Sequence, residues 1–389
     1  MQYVHQYLRS AEAICGLYDG AQPLASFLKQ YFQQNKKYGS KDRRHIGHLC
    51  YVYYRLGKAL RDLPFRERVK LALFLCETDP GNWKELFSEE WLANWSGDMP
   101  HRISFATAFY PSFSVDAVFP WRDQLSAGLD AARFSVSHFS QPDLFLRVRP
   151  GYEASVPGKL KAAGIAFSTA GPNCIALPNG TKLDAVLSQD KEVVVQDLNS
   201  QRTGELLGVV QSKRPITIWD ACAASGGKSI LAKDLLGDIV LTVSDLRPSI
   251  MHNLQKRFER AGMKAQYALV TDLSKQDTPR PKGSFDLVIC DAPCSGSGTW
   301  ARTPEQLYFF EPSRIADYAA LQRAILHNTA AQVSAGGYLL YLTCSVFAEE
   351  NEMQVEKLLP LGFELIELRS FTGYDKRADS LFGALFRKL

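Results

Sequence analysis

Apolar positions recur every three to four residues through the first third of the chain. Leu24, Phe27, Leu28, Tyr31 and Phe32 form one stripe, and Ile46, Leu49, Tyr53, Leu56 and Leu60 form another, with Ser40 as the helix cap. Residues 1–140 therefore predict an all-helical domain, and Trp91, Trp95 and Trp121 are assigned to packing within it. From residue 141 the period shortens. Leu144–Arg149 alternates as a strand does, Val156–Ala163 predicts a short helix, and Cys174–Leu177 and Glu192–Val195 predict further strands. Asn179-Gly180 supplies a turn. Residues 141–200 thus predict a small α+β module. Over residues 201–389 short apolar runs alternate with helical stretches, the pattern of a doubly wound α/β domain. Strands are expected at Ile216–Trp219, Val240–Ser244, Tyr267–Val270, Leu287–Cys290 and Tyr338–Thr343, with two more in the tail at Phe363–Leu368 and Leu381–Phe386. A long helix is expected from Ser313 to Val333, stopping before Gly336-Gly337.

Composition narrows the class. With 389 residues, 46% of them hydrophobic and 22% charged, the chain has the make-up of a soluble protein of two or three domains. The first twelve residues lack the basic-then-apolar layout of a secretion signal, and no apolar run reaches the ~20 residues of a membrane span. Eight cysteines include no CxxC pair and no zinc-like spacing, so reduced thiols in a cytoplasm are expected, with no metal. The net charge of +4 leans only weakly toward nucleic acid. Lys36, Lys37, Lys41, Arg43 and Arg44 crowd one interhelical turn, which reads either as a solvated loop or as a contact for an RNA backbone.

Chemistry concentrates at the ends of the predicted strands. Leu287–Cys290 runs into Asp291, then Pro293, Cys294 and a turn through Gly296 and Gly298. In open α/β sheets ligands sit just past the carboxyl ends of strands. A second cysteine, Cys344, ends the strand Tyr338–Thr343. The loop Asp220–Ser229, DACAASGGKS, follows the first strand and opens a helix. Three ligands compete for it. A dinucleotide would want GxGxxG, which is absent. A phosphate-binding loop would want GxxxxGK[ST]; Gly227-Lys228-Ser229 fits, but Cys222 fills the first glycine position. S-adenosylmethionine is favoured by acids closing successive strands, Asp245, Asp272 and Asp291, because a sulfonium tolerates carboxylates that would repel a triphosphate. Cys290, inside an apolar run, is assigned to the core, as is Cys222, which also belongs to the loop.

DACAASGGKS, DAPCSGSGTWARTPE and YLLYLTCSVFAEENE resemble, in order and spacing, the motifs of the RNA cytosine-5 methyltransferases of the Sun/Fmu (RsmB-like) type, and VQDLNSQ resembles that family's lead-in motif. The likeness covers roughly residues 143–389. The front end, through GSKDRRHIGHLCYVYYRLGKAL, resembles more loosely the NusB-like domain of the bacterial ribosomal members. The resemblance implies a Rossmann-like class I methyltransferase domain, preceded by an RRM-like α+β module and a NusB-like helical domain. It implies S-adenosylmethionine as cofactor and RNA, most readily ribosomal RNA, as partner. Transfer RNA, or a non-catalytic role in ribosome assembly on the same fold, are the alternatives; a monomer is expected.

The resemblance also implies roles. Cys344 is the nucleophile, which residue order alone does not decide, and Cys294 assists release. Asp291 holds the ring through N3 and the exocyclic amine. Lys228 orders the loop and Asp291. The cofactor would be held by Asp220, Cys222, Ala223, Ala224, Ser225, Gly226, Gly227 and Lys228, with Asp245, Arg247, Asp272 and Asp291. RNA would meet Arg302, Arg147, Arg149 and the basic turn. Ser225 and Ala348 stand where the family has prolines, and Asp379–Phe382 (DSLF) is a loose version of its terminal motif.

Overall fold

The computed structural model describes residues 3–210 and 214–389, which form two compact units. The first comprises Met1–Asp123, Asp130–Gln141 and Thr299–Pro312. Its helices are Val4–Leu17 (α1), Leu24–Gln34 (α2), Ser40–Arg55 (α3), Phe65–Cys76 (α4), Glu89–Ala93 (α5), Met99–Phe109 (α6), Ala131–Ser137 (α7) and, from far along the chain, Pro304–Phe309 (α12). α3 packs against α1, α4 and α12. Trp91 and Trp121 are buried, Trp95 half-buried, and Phe74 touches Trp91 and Trp95 at 4.8 and 5.2 Å between ring centres.

Two expectations for this unit need correction. Ser40 is the first helical residue rather than the cap; Gly39 precedes it, its N–H donating to the Asp42 carboxylate at 2.9 Å. The stripe through Leu56 and Leu60 overruns the helix, which ends at Arg55, and Leu60 has a left-handed φ of 49°. Buried Arg68 is the physical cause. Its guanidinium donates to the carbonyls of Tyr53, Gly57 and Ala59, supplying partners that allow the chain to leave the helix.

The second unit comprises Gln124–Leu129, Pro142–Gly298 and Ser313–Leu389. It opens with an antiparallel sheet in the order β2-β3-β1-β4, from Leu144–Val148 (β1), Ser168–Gly171 (β2), Cys174–Leu177 (β3) and Val193–Val195 (β4). Helix α8 (Ser155–Ala162) covers one face, burying Val156 and Leu160 against Leu146, Val148 and Ile175. Strand β2 was not expected from the sequence; STAG lacks the apolar alternation that marks a strand.

After the short helix α9 (Leu198–Arg202) comes the large sheet. Its strands are Ile216–Asp220 (β5), Ile239–Asp245 (β6), Tyr267–Val270 (β7), Phe285–Asp291 (β8), Val333–Thr343 (β9), Phe363–Phe371 (β10) and Leu381–Lys388 (β11). The order is β10-β11-β9-β8-β5-β6-β7, with β5 to β9 parallel and β10 and β11 antiparallel. This is a Rossmann-like doubly wound sheet, and its direction of winding reverses beside β5. Alternate residues face opposite layers. Ile218, Leu287, Ile289 and Leu342 pack toward α10 (Gly227–Leu236) and α11 (Pro248–Arg260), while Trp219, Val288, Cys290 and Tyr341 pack toward α13 (Ser313–Ala330). Cys290 is thus core, as expected, and Cys222 packs against the same layer. The helix expected to reach Val333 stops at Ala330. Gly336 (φ 73°) and Gly337 lie within β9, at a shift in its register with β8, and act as a bulge rather than a stop. Among the described residues no helix is long and apolar enough to cross a membrane.

Four arginines and two acids join the small sheet to the helices of the large one. Arg147 and Arg149 on and beside β1 both bind Asp234 of α10, Arg149 at 2.8 Å. Arg257 and Arg260 of α11 bind Asp190 at 2.6 and 2.7 Å. Removing one partner of a buried pair strands the other's charge. Asp234→Ala should therefore cost about 3–5 kcal/mol, read as a lower urea midpoint, and Asp234→Asn should recover part of it.

Candidate active site

The carboxyl ends of β5, β8 and β9 carry the candidate groups. Asp220 ends β5, Asp291 ends β8, and Cys344 follows β9 directly. Pairing in register sets their spacing: Asp220 lies opposite Ile289, and Asp291 opposite Leu342. The two chains stay paired past β8, the Ala292 N–H bonding the Leu342 carbonyl at 2.9 Å. This brings the Cys294 and Cys344 sulfurs to 3.2 Å. Both residues are half-buried free thiols. The contact with Cys344, then burial, then the Glu350 charge push the Cys294 thiol well above its ordinary pKa.

A buried carboxylate not anticipated from the sequence holds both cysteine loops. Glu350 accepts the Ser295 amide at 2.8 Å and the Gln322 side chain at 2.9 Å on one oxygen, and the Ser345 hydroxyl at 2.6 Å on the other. Gln322 also reaches the Pro293 carbonyl at 3.0 Å. Ser297 links the loops again, its hydroxyl accepting the Val346 amide at 2.9 Å. The Gly298 N–H donates to the Cys344 carbonyl at 2.9 Å, and its own carbonyl accepts the Ser380 amide at 2.9 Å. A Cβ at Gly298 would lie 1.9 Å from the Ser380 oxygen, so only glycine fits there. Ser380 belongs to the DSLF segment, which the lead-in motif also grips: Asp197 accepts the Asp379 amide and Asn199 donates to the Asp379 carbonyl, at 3.0 and 2.7 Å.

Lys228 extends from the first turn of α10 to Asp291 and to Ser200, each at 2.9 Å. Lys228 and Asp291 are thus brought together, with Ser200 as a third member missed from the sequence. A lone serine in DLNSQ carries no signal of its own, whereas Glu350, a short step past Thr343-Cys344-Ser345 in the same family motif, carried one.

The loop after β5 is bent by two left-handed residues, Ala224 (φ 44°) and Gly226 (φ 80°). Left-handed φ is uncommon for a residue with a Cβ, so the loop is held by its contacts. Asp245 accepts the Ala224 amide at 3.0 Å and the amide and guanidinium of Arg247 at 3.0 and 3.1 Å. Burial works to raise the Asp245 pKa, but the Arg247 and Ala224 bonds outweigh it and hold the carboxyl below its ordinary range. Asp272 is likewise lowered, first by the Ser274 hydroxyl at 2.6 Å. Asp220 behaves oppositely. Fully buried, it is pushed up to about 7 by desolvation, against the pull of the Ser229 hydroxyl at 2.6 Å, with the Asp291 charge adding to the rise. One of its oxygens has no hydrogen-bond partner.

Other expected contacts lie elsewhere. Arg147 is buried and Arg149 half-buried, both bonded to Asp234, with a further Arg149 bond to the Asp190 carbonyl, so they join elements of the second unit. Lys36, Lys37, Lys41 and Arg44 are exposed; Arg43 is half-buried, bonded to the Tyr38 carbonyl at 2.9 Å. Arg302 belongs to the helical unit. Among the described residues no group of three or more His, Cys, Asp or Glu is arranged to hold a metal ion.

Residues 208–368, which carry both cysteines, Asp291 and Lys228, match the profile of the 16S rRNA methyltransferase RsmB/F family. This domain belongs to the RsmB/F methyltransferase family. Ribosomal RNA small subunit methyltransferase B of Xylella fastidiosa is 30% identical over 285 residues, covering 67% of this chain and 63% of that protein. A probable counterpart in Bacillus subtilis is 30% identical over 238 residues, covering 60% and 52%. The chain spans 51–65% of the length of the first such relatives. Among solved structures, PH0851 shares the fold at a TM-score of 0.71 and 21% identity, over 98% of each chain. NSun6 from Pyrococcus horikoshii, solved with SFG, shares it at 0.58 and 17% identity, over 70% of this chain and 96% of that one.

Asp220 supplies a test that needs no ligand. Its pKa in the fold lies above the ordinary 3.8, so its contribution to stability is complete below about pH 4 and is lost as pH rises toward 7. Asp220→Asn, uncharged throughout, should lack that loss. Between pH 4 and 7.5 the unfolding free energy of the wild type should fall relative to the variant by on the order of a few kcal/mol. Urea titrations at several pH values measure it.

Proposed function

We propose that the chain is an S-adenosylmethionine-dependent methyltransferase forming 5-methylcytosine in RNA, with small-subunit ribosomal RNA as substrate. The observation that carries the reading is the pair of sulfurs 3.2 Å apart beside Asp291 and Lys228. The relatives' names support the ribosomal substrate. We assign RNA binding to the helical domain of residues 1–140 through its exposed basic turn, and the chemistry to residues 201–389, with the small module of 141–200 joined to them.

The donor set fits a sulfonium nucleoside. Carboxylates close β5, β6 and β8, with Asp272 just past β7. A triphosphate would meet their charge, and Lys228, which a phosphate loop would turn toward its ligand, is already bonded to Asp291 and Ser200. The loop from Asp220 to Lys228 would hold the cofactor, with Asp245 toward ribose hydroxyls and Asp272 toward the adenine edge. Arg247, which covers Asp245, has a side chain 58% exposed and can yield to a ribose at little cost. When bound, S-adenosylmethionine supplies an electrophilic methyl group.

Carbon 5 of cytosine is a poor nucleophile until a thiolate adds to carbon 6. Following the family resemblance, Cys344 makes that bond, while Asp291 holds N3 and the exocyclic amine and stabilises the adduct. Lys228 holds Asp291 in place. Release requires loss of the carbon 5 proton and rupture of the carbon 6–sulfur bond. Cys294 stands beside that sulfur and, following the family resemblance, assists release. Both sulfurs must be reduced, which suits a cytoplasmic setting. The target base must be unpaired or flipped, since carbon 6 is attacked from the face of the ring.

Incubation with labelled S-adenosylmethionine and small-subunit ribosomal RNA lacking the modification tests the reading. Cys344→Ala should abolish methyl transfer. Cys294→Ala should accumulate a protein–RNA adduct that survives denaturing electrophoresis. Full turnover by Cys344→Ala would overturn the assignment, as would methylation at any position other than carbon 5 of cytosine.

A further inference from the structure

The loop after β5 is held from below by α11. Gly226 sits so close to Phe258 that a Cβ there would approach the ring to 2.6 Å. One residue earlier on α11, Arg257 forks. Its Nε donates to Asp190 at 2.6 Å, and one terminal nitrogen donates to both the carbonyl and the hydroxyl of Ser225, at 3.0 and 2.9 Å. Ser225 lies between the two left-handed residues of the loop, Ala224 and Gly226.

Asp190 is itself fixed. It is buried, takes a second arginine, Arg260, at 2.7 Å, and its carbonyl accepts Arg149 at 2.7 Å. Asp190 belongs to the small module, just before β4, to whose Val193 carbonyl its amide bonds at 2.7 Å. One rigid, planar cation thus spans the module and the cofactor loop. A guanidinium suits this task and an ammonium does not, because the fork presents donors in fixed directions while lysine offers a point charge.

We propose that Arg257 is a positioning residue through which the small module sets the conformation of the cofactor loop: Asp190 orients the guanidinium, and the guanidinium pins Ser225. The proposal rests on the reading of residues 220–228 as the methyl-donor loop. Its consequence is that whatever seats or displaces the module is felt as a change in donor affinity.

Hydrogen–deuterium exchange of the full chain, without ligand, tests the mechanical part. In Arg257→Gln and Asp190→Asn, the amides of residues 221–227 should exchange severalfold faster than in the wild type, while β8 and β9 keep wild-type protection. Arg257→Lys, able to pair with Asp190 but not to fork, should behave like Arg257→Gln and not rescue the loop. Adding Ser225→Ala to Arg257→Gln should produce no further increase. Wild-type loop exchange in Arg257→Gln would overturn the proposal; so would faster exchange spread evenly across the second unit, the mark of a merely structural role.

Calorimetric titration with S-adenosylmethionine tests the consequence. The Kd should rise on the order of tenfold in Arg257→Gln, the loss expected when a charge-assisted bond is removed. An unchanged Kd would overturn the coupling. If the wild type itself fails to bind S-adenosylmethionine, the cofactor reading falls, and the exchange data still decide whether Arg257 holds the loop.

Discussion

A single buried carboxylate governs the geometry of the two cysteines. Glu350 is fully enclosed, and a charge taken out of water must be matched by donors that cannot drift away. The donors it recruits are the Ser295 amide, next to Cys294, and the Ser345 hydroxyl, next to Cys344, with Gln322 of α13 as the third. Each loop is thereby tied to the same two oxygens, and the distance between the sulfurs becomes a property of the core. A pair of loops at the tips of β8 and β9, held only by their own turns, would have no such fixed separation.

Charge is arranged with the same economy around the loop after β5. Asp245 is bonded and held below its ordinary pKa, and Asp291 is matched by Lys228, while burial pushes Asp220 up to about 7. These three carboxylates, so close in the fold, would repel one another if all were charged and unpaired. The fold avoids this by giving each a different environment. Farther out, Asp234 binds arginines of β1 and its end, and Asp190 binds arginines of α11, fastening the small module to α10 and α11, the helices that flank the loop.

The sheet was legible from residue order because a strand buried on both faces has to be a short apolar run, and its tip is where an acid can first reach a ligand. The strand tips then placed Asp220, Asp291, Cys294 and Cys344 together. Contacts across long stretches of sequence were not legible. Arg147 and Arg149 look like surface cations on an alternating strand, and nothing local reveals Asp234, some 85 positions later, as their partner. Ser200 is similarly silent until the fold surrounds it. The early end of α3 escaped notice for a related reason: its cause, Arg68, lies in the following helix. Glycine pairs mislead in another way, since Gly336-Gly337 reads as a helix stop and is a bulge within β9.

The course of the chain just beyond Cys294 bears on how the protein can be dissected. Gly298 is anchored to the Cys344 carbonyl, and from Thr299 to Pro312 the polypeptide belongs to the helical unit before returning at Ser313. There Trp300 lies against Phe119 and Trp121, Leu307 against Gly57, and Arg55 donates to the Ala301 carbonyl. A truncated fragment beginning near residue 142 would keep this excursion but lose its neighbours, leaving bare indole and leucine surface hanging from the cysteine loop. The amino-terminal helices are therefore no detachable appendage: genetic deletion or protease nicking there would reach the Cys294 loop through the backbone itself.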